Sequence, residues 1–290
     1  MNKTQVRFMA VVVSLSTLTA VSAVAAATVE KNVTQGMFAE ALDVSEAPAL
    51  SGKALPAYKA TPLTVELWCK LSSSSGYNIL ISNEPKESCT HWEIYTEPGG
   101  LLSAYLPGVA PSIIRTAKNL ADGKWHAVAM ALDGQSVALF ADGKEEVRAA
   151  VSKNPSGEVV AGPLHVGQAT FQNGTIDCSG AIDEVRLSSC VRDLSRAPAA
   201  PFSADVQTVG LWHFDREQGA KAFSDASVNN NPMSDGGSGI SKSELDRASF
   251  KAGPAPLDSP ARTVSLKAGA LKLPGLFPVC SLDGEWQLVE

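Results

Sequence analysis

The stretch Gly123-Lys-Trp-His-Ala-Val-Ala-Met-Ala-Leu-Asp-Gly-Gln-Ser-Val-Ala-Leu-Phe-Ala-Asp-Gly-Lys144 contains two Asp-Gly pairs, Asp133-Gly134 and Asp142-Gly143. An Asp-Gly pair between alternating segments favours a β-hairpin, because glycine accepts the positive φ that a tight turn needs. Bulky and small residues alternate before the first pair, and this period of two is typical of a strand, not a helix. The stretch therefore predicts three antiparallel strands.

The first of these strands is predicted to have two unlike faces. One face carries bulky side chains at His126, Val128, Met130 and Leu132. The other carries mostly small ones, at Trp125, Ala127, Ala129 and Ala131. If the small face lies on the concave side of a sheet, its short side chains would leave a shallow groove for a ligand.

Four other segments extend the pattern along the chain. They are Leu63-Thr-Val-Glu-Leu-Trp-Cys-Lys, Gly180-Ala-Ile-Asp-Glu-Val-Arg-Leu, Gly210-Leu-Trp-His-Phe-Asp and Ser224-Asp-Ala-Ser-Val-Asn-Asn-Asn. With the central stretch, they resemble in order the laminin-G-like jelly rolls of the concanavalin A-like lectin and glucanase superfold, over residues 58–235. The resemblance implies an all-β fold, a two-sheet antiparallel jelly-roll sandwich. It is less specific for function, because one fold supports many functions.

Residues 1–27 have the pattern of a secretory signal peptide. Lys3 and Arg7 lead a mostly apolar segment, and Ala23-Val-Ala25 or Ala25-Ala-Ala27 offers the small residues of a cleavage site. Serine and threonine interrupt the apolar run, whereas a spanning helix needs about 20 predominantly apolar residues. We therefore expect an exported protein, secreted or periplasmic, with no membrane span after the signal is removed.

The charge balance excludes some partners. The chain has 24 Lys+Arg against 30 Asp+Glu, a formal net charge of −6. Removal of the signal would take away two more positive charges, at Lys3 and Arg7. An acidic exported protein has no electrostatic reason to bind nucleic acid or an anionic membrane surface.

Three segments flank the predicted sandwich. Residues 28–57 are expected to be a lead-in whose end joins the sandwich, with Met37-Phe-Ala-Glu-Ala-Leu suited to a helical turn or a first strand. Residues 236–276 are rich in Gly, Ser, Pro and Ala, which is typical of a linker. Within residues 277–290, Ser281-Leu-Asp-Gly-Glu-Trp-Gln-Leu resembles the opening strand of the sugar-binding domain of many family-2 glycoside hydrolases, the β-galactosidase group. That resemblance implies the truncated start of a following β domain in a larger hydrolase.

The cysteines are expected to pair, because disulfides are the default in an oxidising compartment. Four of the five lie in the predicted sandwich: Cys69, Cys89, Cys178 and Cys190. The local pairings are 69–89 and 178–190, and the cross pairing remains open because spacing does not determine connectivity. Cys280 is the odd cysteine, with a missing partner or a reduced thiol. No spacing matches a zinc site.

One strand carries carboxylates that suggest an enzyme. Glu93, Tyr95 and Glu97 share a face, and glucanases of the resembled superfold have two catalytic glutamates on such a face, with an aspartate between them. Here a tyrosine occupies the middle position. Four residues along a strand span about 13 Å, beyond the roughly 5–9.5 Å between working glycosidase carboxylates. We therefore expect salt-bridged or solvated glutamates, and no catalytic residue in this chain.

The resemblance also suggests a structural calcium site, because relatives of this fold often hold calcium near the sandwich rim. Calcium takes about six to eight oxygen ligands from several loops. Asp183, with Asp177 or Asp215, could contribute carboxylate oxygens. The alternative is that Asp183 caps a backbone group or forms a salt bridge with Arg186 or Arg192. No other cofactor is expected.

Sugar binding would use aromatic rings, because a ring offers a flat apolar surface to a pyranose. The nearest candidates are Trp92, Tyr95 and Tyr105. The alternative for Trp92 is core packing, as expected for Trp68, Trp125 and Trp212.

Three functional hypotheses follow. The first is a non-catalytic jelly-roll module that binds carbohydrate or a cell-surface glycan, and positions a covalently continuous hydrolase on it. The second is a protein-interaction or surface-architecture domain, as many laminin-G-like modules are. The third is a glucanase acting alone.

Overall fold

A computed structural model describes most of the predicted sandwich and the segment before it. The described residues are 33–45, 48–154, 156–172, 174–216 and 222–235, with the backbone of 277–280 and 286–289. The predicted signal peptide and linker lie outside them. No helix in the described part of the chain is long and apolar enough to cross a membrane.

The described residues form strands, and the only helical element among them is the 3₁₀ turn Pro56–Tyr58. The strands are β1 (Val33–Gln35), β2 (Glu40–Asp43), β3 (Leu50–Gly52), β4 (Leu63–Leu71), β5 (Asn78–Asn83), β6 (Trp92–Glu97), β7 (Leu101–Tyr105), β8 (Val109–Ala110), β9 (Ile113–Asn119), β10 (Trp125–Leu132), β11 (Ser136–Ala141), β12 (Lys144–Ala150), β13 (Ser152–Lys153), β14 (Leu164–Val166), β15 (Gln168–Phe171), β16 (Gly174–Asp177), β17 (Gly180–Ser188), β18 (Thr208–Trp212), β19 (Ser234–Asp235), β20 (Phe277–Cys280) and β21 (Trp286–Val289).

Two large antiparallel sheets form the sandwich. Sheet A has the order β1-β2-β17-β4-β10-β11-β12, with β18 paired to β17. Sheet B has the order β19-β3-β14-β5-β6-β7-β9. A separate hairpin is formed by β15 and β16. The predicted all-β, two-sheet antiparallel sandwich is confirmed.

The central stretch forms the predicted hairpins. Strand β10 pairs with β11, and β11 pairs with β12, both antiparallel. Gly134 has a φ of 91°, and Asp142 and Gly143 have φ values of 54° and 80°, so both turns use the left-handed conformation. The Asp133 carboxylate also accepts the backbone N–H groups of Gln135 and Ser136, which closes the first turn.

The main core lies between the two sheets. Val128 and Met130 of β10 belong to it, as the alternation predicted. Its largest fully buried side chains include Trp212, at the end of β18, and Phe214, two residues later. Burying one such large apolar side chain stabilises the fold by about 1.5–3 kcal/mol. The main core is therefore the largest source of the free energy that stabilises the sandwich.

The sandwich starts before residue 58. Strands β1 and β2 belong to sheet A and β3 belongs to sheet B, so the described part of 28–57 is built into both layers. Leu42 and Leu50 are buried in the main core. Glu40–Asp43 is a strand, which decides between the helical turn and the strand expected there. Short strands with one or two apolar residues give little periodic signal, so the sequence pattern predicts a start of the sandwich only at residue 58.

The small-residue face of β10 is covered. Ala129 and Ala131 are buried against Leu194, with Phe140 at the margin. Leu194 belongs to the connection between β17 and β18. A space of only about 20 Å³ remains between this connection and the sheet. The groove expected over the alanines is therefore filled by the chain's own connection.

The four sandwich cysteines were predicted to pair locally, as 69–89 and 178–190, with the cross pairing left open. No disulfide joins Cys69, Cys89, Cys178 or Cys190 in this part of the chain. Cys69 and Cys178 are buried in the same core cluster, whereas Cys89 and Cys190 are partly exposed. Burial raises the pKa of the Cys178 thiol to about 12, so the thiol is unreactive while it stays buried.

The last described strands form a hairpin in a second compact unit, residues 240–290. Strand β20 pairs antiparallel with β21, with Cys280 opposite Trp286. This pairing places backbone strands in the segment that was predicted to begin a following β domain.

Candidate functional site

The outer face of sheet B carries a group of tyrosines and carboxylates. Trp92 and Ile94 of β6 point into the main core. Since side chains alternate along a strand, Glu93, Tyr95 and Glu97 project from the opposite side. Register brings in β7, because Glu93 lies opposite Tyr105 and Tyr95 lies opposite Ser103. We call the surface of Tyr77, Glu93, Tyr95, Glu97 and Tyr105 the tyrosine face.

One half of the tyrosine face is a pair of rings beside an ion pair. The rings of Tyr77 and Tyr95 lie 6.0 Å apart, tilted by 41°. The Tyr95 hydroxyl donates to the Glu97 carboxylate at 3.3 Å, and Arg115 Nε donates to the same oxygen at 2.6 Å. Tyr77 is 51% exposed and the Arg115 side chain is 58% exposed. A flat ring and a guanidinium are therefore both open to solvent on one surface.

The other half is organised around a buried carboxylate. Lys86 forms an ion pair with Glu93, and His91 Nε2 lies 3.3 Å from Glu93 Oε2. The Lys86 ammonium also lies 5.0 Å from the centre of the Tyr105 ring, and the His91 ring lies 5.7 Å from it. Tyr105 is half-buried, with a cation against it.

These surroundings fix the charge states. Burial alone would raise the pKa of Glu93, but His91 and Lys86 outweigh it and hold that pKa below its usual value. Burial, and then the Glu97 and Glu93 carboxylates, raise the pKa of the Tyr95 phenol. Burial and Glu93 likewise raise the pKa of Tyr105. Glu93 is therefore an anion, and Tyr95 and Tyr105 stay neutral donors near pH 7.

A short hairpin lies over part of this face. Ala169 of β15 packs against Ile79 and Tyr95, and Ile176 of β16 joins the same cluster with Tyr105. The Ser82 hydroxyl donates to the Gln168 carbonyl at 2.8 Å, which fixes the hairpin to β5. The hairpin thus forms one wall of the tyrosine face and leaves Tyr77 on the open side.

The structure separates the three aromatic residues predicted to bind sugar. Tyr95 and Tyr105 share the tyrosine face. Trp92 is 3% exposed in the main core, and its indole N–H donates to the Tyr58 carbonyl at 2.7 Å. Trp92 therefore packs in the core, which was the alternative to sugar binding for this residue. It cannot stack on a ligand bound to the outer face.

The two glutamates that suggested a glucanase have separate partners. Glu93 is paired with Lys86, and Glu97 is paired with Arg115. Tyr95 lies between them on the same strand. This is the salt-bridged arrangement that the sequence favoured for these two residues.

Two of the predicted calcium ligands, Asp177 and Asp183, lie in different sheets. Asp177 is on β16 in the hairpin over sheet B, whereas Asp183 is on β17 in sheet A. Asp183 Oδ2 accepts the Phe38 N–H at 3.0 Å, and Asp215 Oδ1 accepts the Glu40 N–H at 3.0 Å. Within the described residues, no group of three or more His, Cys, Asp or Glu side chains is placed to hold a metal ion.

The salt bridges proposed as the alternative for Asp183 do not form. Arg186 pairs with Glu66 at 2.7 Å, and Arg192 pairs with Asp205 at 2.5 Å. The Asp183 carboxylate instead accepts a hydrogen bond from the Phe38 N–H, so it caps a backbone group, which was the other alternative to calcium binding. Burial raises the pKa of Asp183 to about 7.

Three residues of the site were missed by the sequence reasoning: Tyr77, Lys86 and Arg115. Tyr77 precedes Ile79 by two, so the period of two could have placed it on the face of Tyr95. Nothing in the sequence pairs Lys86 with Glu93 or Arg115 with Glu97, because those contacts depend on a loop conformation and on strand register.

Comparisons with known proteins agree with the fold. A laminin-G-type family model, described as the Concanavalin A-like lectin/glucanases superfamily, matches residues 48–196, just over half of the chain. No curated protein matches the sequence.

Several solved structures are distantly similar. A candidate carbohydrate binding protein from Bacteroides ovatus is 14% identical, with a TM-score of 0.46, and the match covers 64% of this chain and 58% of that one. The sialidase CBM40 of Ruminococcus gnavus is 15% identical, with a TM-score of 0.40, over 53% of this chain and 92% of that one. Domain 4 of the Geobacillus stearothermophilus arabinanase AbnA is 15% identical, with a TM-score of 0.34, over 53% and 73%.

These structural similarities are too low to indicate a shared function. The family match stands on its own, because it spans both sheets from β3 to the connection after β17. The chain belongs to the Concanavalin A-like lectin/glucanases superfamily.

Proposed function

We propose that this chain is an exported, non-catalytic module that binds carbohydrate through the tyrosine face. The observation that carries the proposal is the open Tyr77 ring beside Tyr95, next to the Glu97–Arg115 pair. A sugar ring has apolar C–H faces and a rim of hydroxyls, so it is matched by a flat aromatic surface with charged hydrogen-bonding groups at its margin.

The charged groups suit hydroxyls. Arg115 offers N–H donors and Glu97 offers acceptor oxygens, and a hydroxyl can use both. Their mutual contact at 2.6 Å keeps them in place before a ligand arrives, which reduces the side-chain entropy lost on binding. Lys86, held by the buried Glu93, gives a second donor beside Tyr105.

The test is retention on insoluble polysaccharides, with free sugar as competitor. We expect Tyr77→Ala to lose up to about tenfold in affinity, since an aromatic ring contact contributes about 0.5–1.5 kcal/mol. Tyr77→Phe is the matched control, because it keeps the ring and removes only the hydroxyl. Equal retention of all three proteins would remove the tyrosine face from the function.

A protein-interaction role is the second outcome of the same test. If the wild-type protein is retained on no glycan, while it binds a protein in a Tyr77-dependent manner, the face is a protein interface. The exposed charged groups fit both kinds of partner, but the tilted ring pair favours the glycan.

We also propose that the module acts outside the cytoplasm, attached to a glycoside hydrolase. Export is supported by the pattern of residues 1–27, and the hydrolase by the resemblance of residues 281–288 to a family-2 sugar-binding domain. The mass of the mature N-terminus tests export, with Ala26 or Thr28 expected as the first residue. The nucleotide sequence downstream of the Glu290 codon tests attachment.

A further inference from the structure

A second cleft lies on the other layer of the sandwich, at one end of sheet A. It has a volume of about 170 Å³ and is lined by Thr34, Gln35, Asp43, Lys70, Ser72 and Ala181, among others. We call it the Lys70 cleft. Its volume is below the roughly 300–1,000 Å³ typical of sites for drug-sized ligands, so it suits a single small ring.

Strand register builds this cleft from four neighbouring strands. Trp125 lies opposite Lys70, Lys70 lies opposite Ala181, and Ala181 lies opposite Asp43. Directly opposed residues project from the same face of a sheet. Lys70 and Asp43 thus stand about 10 Å apart, two strand spacings, with the single methyl group of Ala181 as the floor between them.

Several polar groups of the cleft are not used by the fold, although the Ser72 hydroxyl donates to the Ser179 carbonyl at 3.4 Å. Lys70 is exposed, and neither it, Thr34 nor Gln35 makes a side-chain hydrogen bond or ion pair with another described residue. Asp43 uses one oxygen to accept the Ser45 N–H at 2.9 Å. This contrasts with the tyrosine face, where the charged groups hold one another.

The charge and chemistry of the lining favour a neutral polyol. Lys70 and Asp43 balance, so the cleft has no net preference for an anion or a cation. Its other polar side chains are hydroxyls and an amide, which donate and accept equally. Trp125 is partly exposed and lies in register with Lys70 on the next strand, outside the residues that line the cleft.

We propose that the Lys70 cleft is a second saccharide-binding site, which takes one neutral hexose ring between Lys70 and Asp43. It is on sheet A and does not depend on the tyrosine face of sheet B. The sugar hydroxyls accept from the Lys70 ammonium and donate to the Asp43 carboxylate, over the Ala181 methyl.

The experiment uses the full chain with ¹³C-labelled alanine methyl groups, titrated separately with D-glucose, D-galactose and D-mannose. We expect at least one sugar to shift the Ala181 methyl signal saturably. Lys70→Met keeps most of the aliphatic stem and removes the charge, and should weaken binding about tenfold, since a charged hydrogen bond is lost. Lys124→Met, at an exposed lysine whose ammonium lies 3.6 Å from Asp122, is the matched control and should bind as the wild type does.

An unmoved Ala181 signal with all three sugars, or a shift that Lys70→Met leaves unchanged, would overturn the proposal. Tighter binding of D-glucuronate than of D-glucose would also contradict it, because the cleft is argued to prefer a neutral ligand. The two sites are distinguished by Tyr77→Ala. If the tyrosine face binds no glycan, the Ala181 shift still persists, and if the Lys70 cleft is empty, polysaccharide retention still depends on Tyr77.

Discussion

The outer faces of the two sheets are covered to different extents. Over sheet A, the connection after β17 lies on Ala129 and Ala131 and fills the space with Leu194. Over sheet B, the β15–β16 hairpin covers part of the strands, and Tyr77 remains 51% exposed. The difference teaches that small residues along a strand can indicate a close cover instead of an open groove, because short side chains let a second layer of chain approach.

The cover of sheet A is held by buried charge. Glu184, 1% exposed, accepts the Phe202 N–H at 2.7 Å and contacts His213 Nδ1 at 2.7 Å. Arg186 pairs with Glu66 at 2.7 Å and lies 4.1 Å from the centre of the Phe202 ring. These contacts are satisfied internally. On the tyrosine face, by contrast, the Arg115 side chain is 58% exposed, and a binding surface requires such an accessible group.

The largest expected effect is at the anchor of the cover. Glu184→Ala should lower the free energy of unfolding by about 3 kcal/mol, because it leaves the buried Phe202 N–H and His213 without their acceptor. Glu184→Gln keeps one acceptor oxygen and should cost less. Urea unfolding measures both. The control is Glu145→Ala at the exposed Arg148 pair, with an effect below about 1 kcal/mol. Equal values for Glu184→Ala and the control would show that Glu184 does not hold the cover.

The apolar part of the cover should have the next largest effect. Leu194→Ala removes the side chain that fills the space over Ala129 and Ala131, and should cost about 2 kcal/mol. Hydrogen exchange should become faster in the connection between β17 and β18 but not in the β15–β16 hairpin. Unchanged exchange in that connection would mean that Leu194 does not fasten it to the sheet.

The buried Asp183 gives sheet A a pH dependence. Its pKa is about 7 in the fold against 3.8 for an ordinary aspartate, mainly because burial disfavours the charge. The folded state therefore binds the proton more tightly, and stability falls as pH rises from about 4 to 7. Asp183→Asn cannot ionise, so it should gain about 1 kcal/mol relative to the wild type between pH 6 and pH 8.

The comparison must be made at each pH, because neighbouring groups titrate too. Hydrogen bonding to Glu184 raises the pKa of His213, and Asp215 contributes in the same direction. The stability linked to His213 is present below pH 6.5 and is lost as pH rises through its raised pKa. A constant difference between Asp183→Asn and the wild type in thermal unfolding would contradict the assignment to Asp183.

The smallest stability effect is expected on the tyrosine face. Tyr77→Ala should change the free energy of unfolding by no more than about 0.5 kcal/mol, because half of the ring is exposed and it packs mainly on Tyr95. Thermal unfolding checks this. A loss of several kcal/mol would mean that Tyr77 is structural and that its loss of glycan retention has another cause.

The fold was predictable where its signals are local. Asp133-Gly134 and Asp142-Gly143 specify two turns within a few residues, and the alternation of β10 specifies its core face. The sequence did not assign β1 and β2 to the sheet. They are short, and the pairing of β2 with β17 joins residues about 140 positions apart.

The candidate site was predictable only in part, for the same reason. Tyr95 and Tyr105 were predicted because each lies in a strand with a clear period. Trp92 was placed among them because aromatic type alone does not tell which side of the sheet a residue faces. The Lys70 cleft follows from the register of four strands, and no local pattern connects Asp43 with Trp125.

The most direct measurement of the central claim uses the four tyrosines of the chain. Tyr58 is fully buried in the main core, and Tyr77, Tyr95 and Tyr105 belong to the tyrosine face. With ring-labelled tyrosine, titration with a retained oligosaccharide should shift the signals of the three face residues and leave Tyr58 unmoved. Equal shifts at Tyr58, or no shift at the other three, would contradict glycan binding by the tyrosine face.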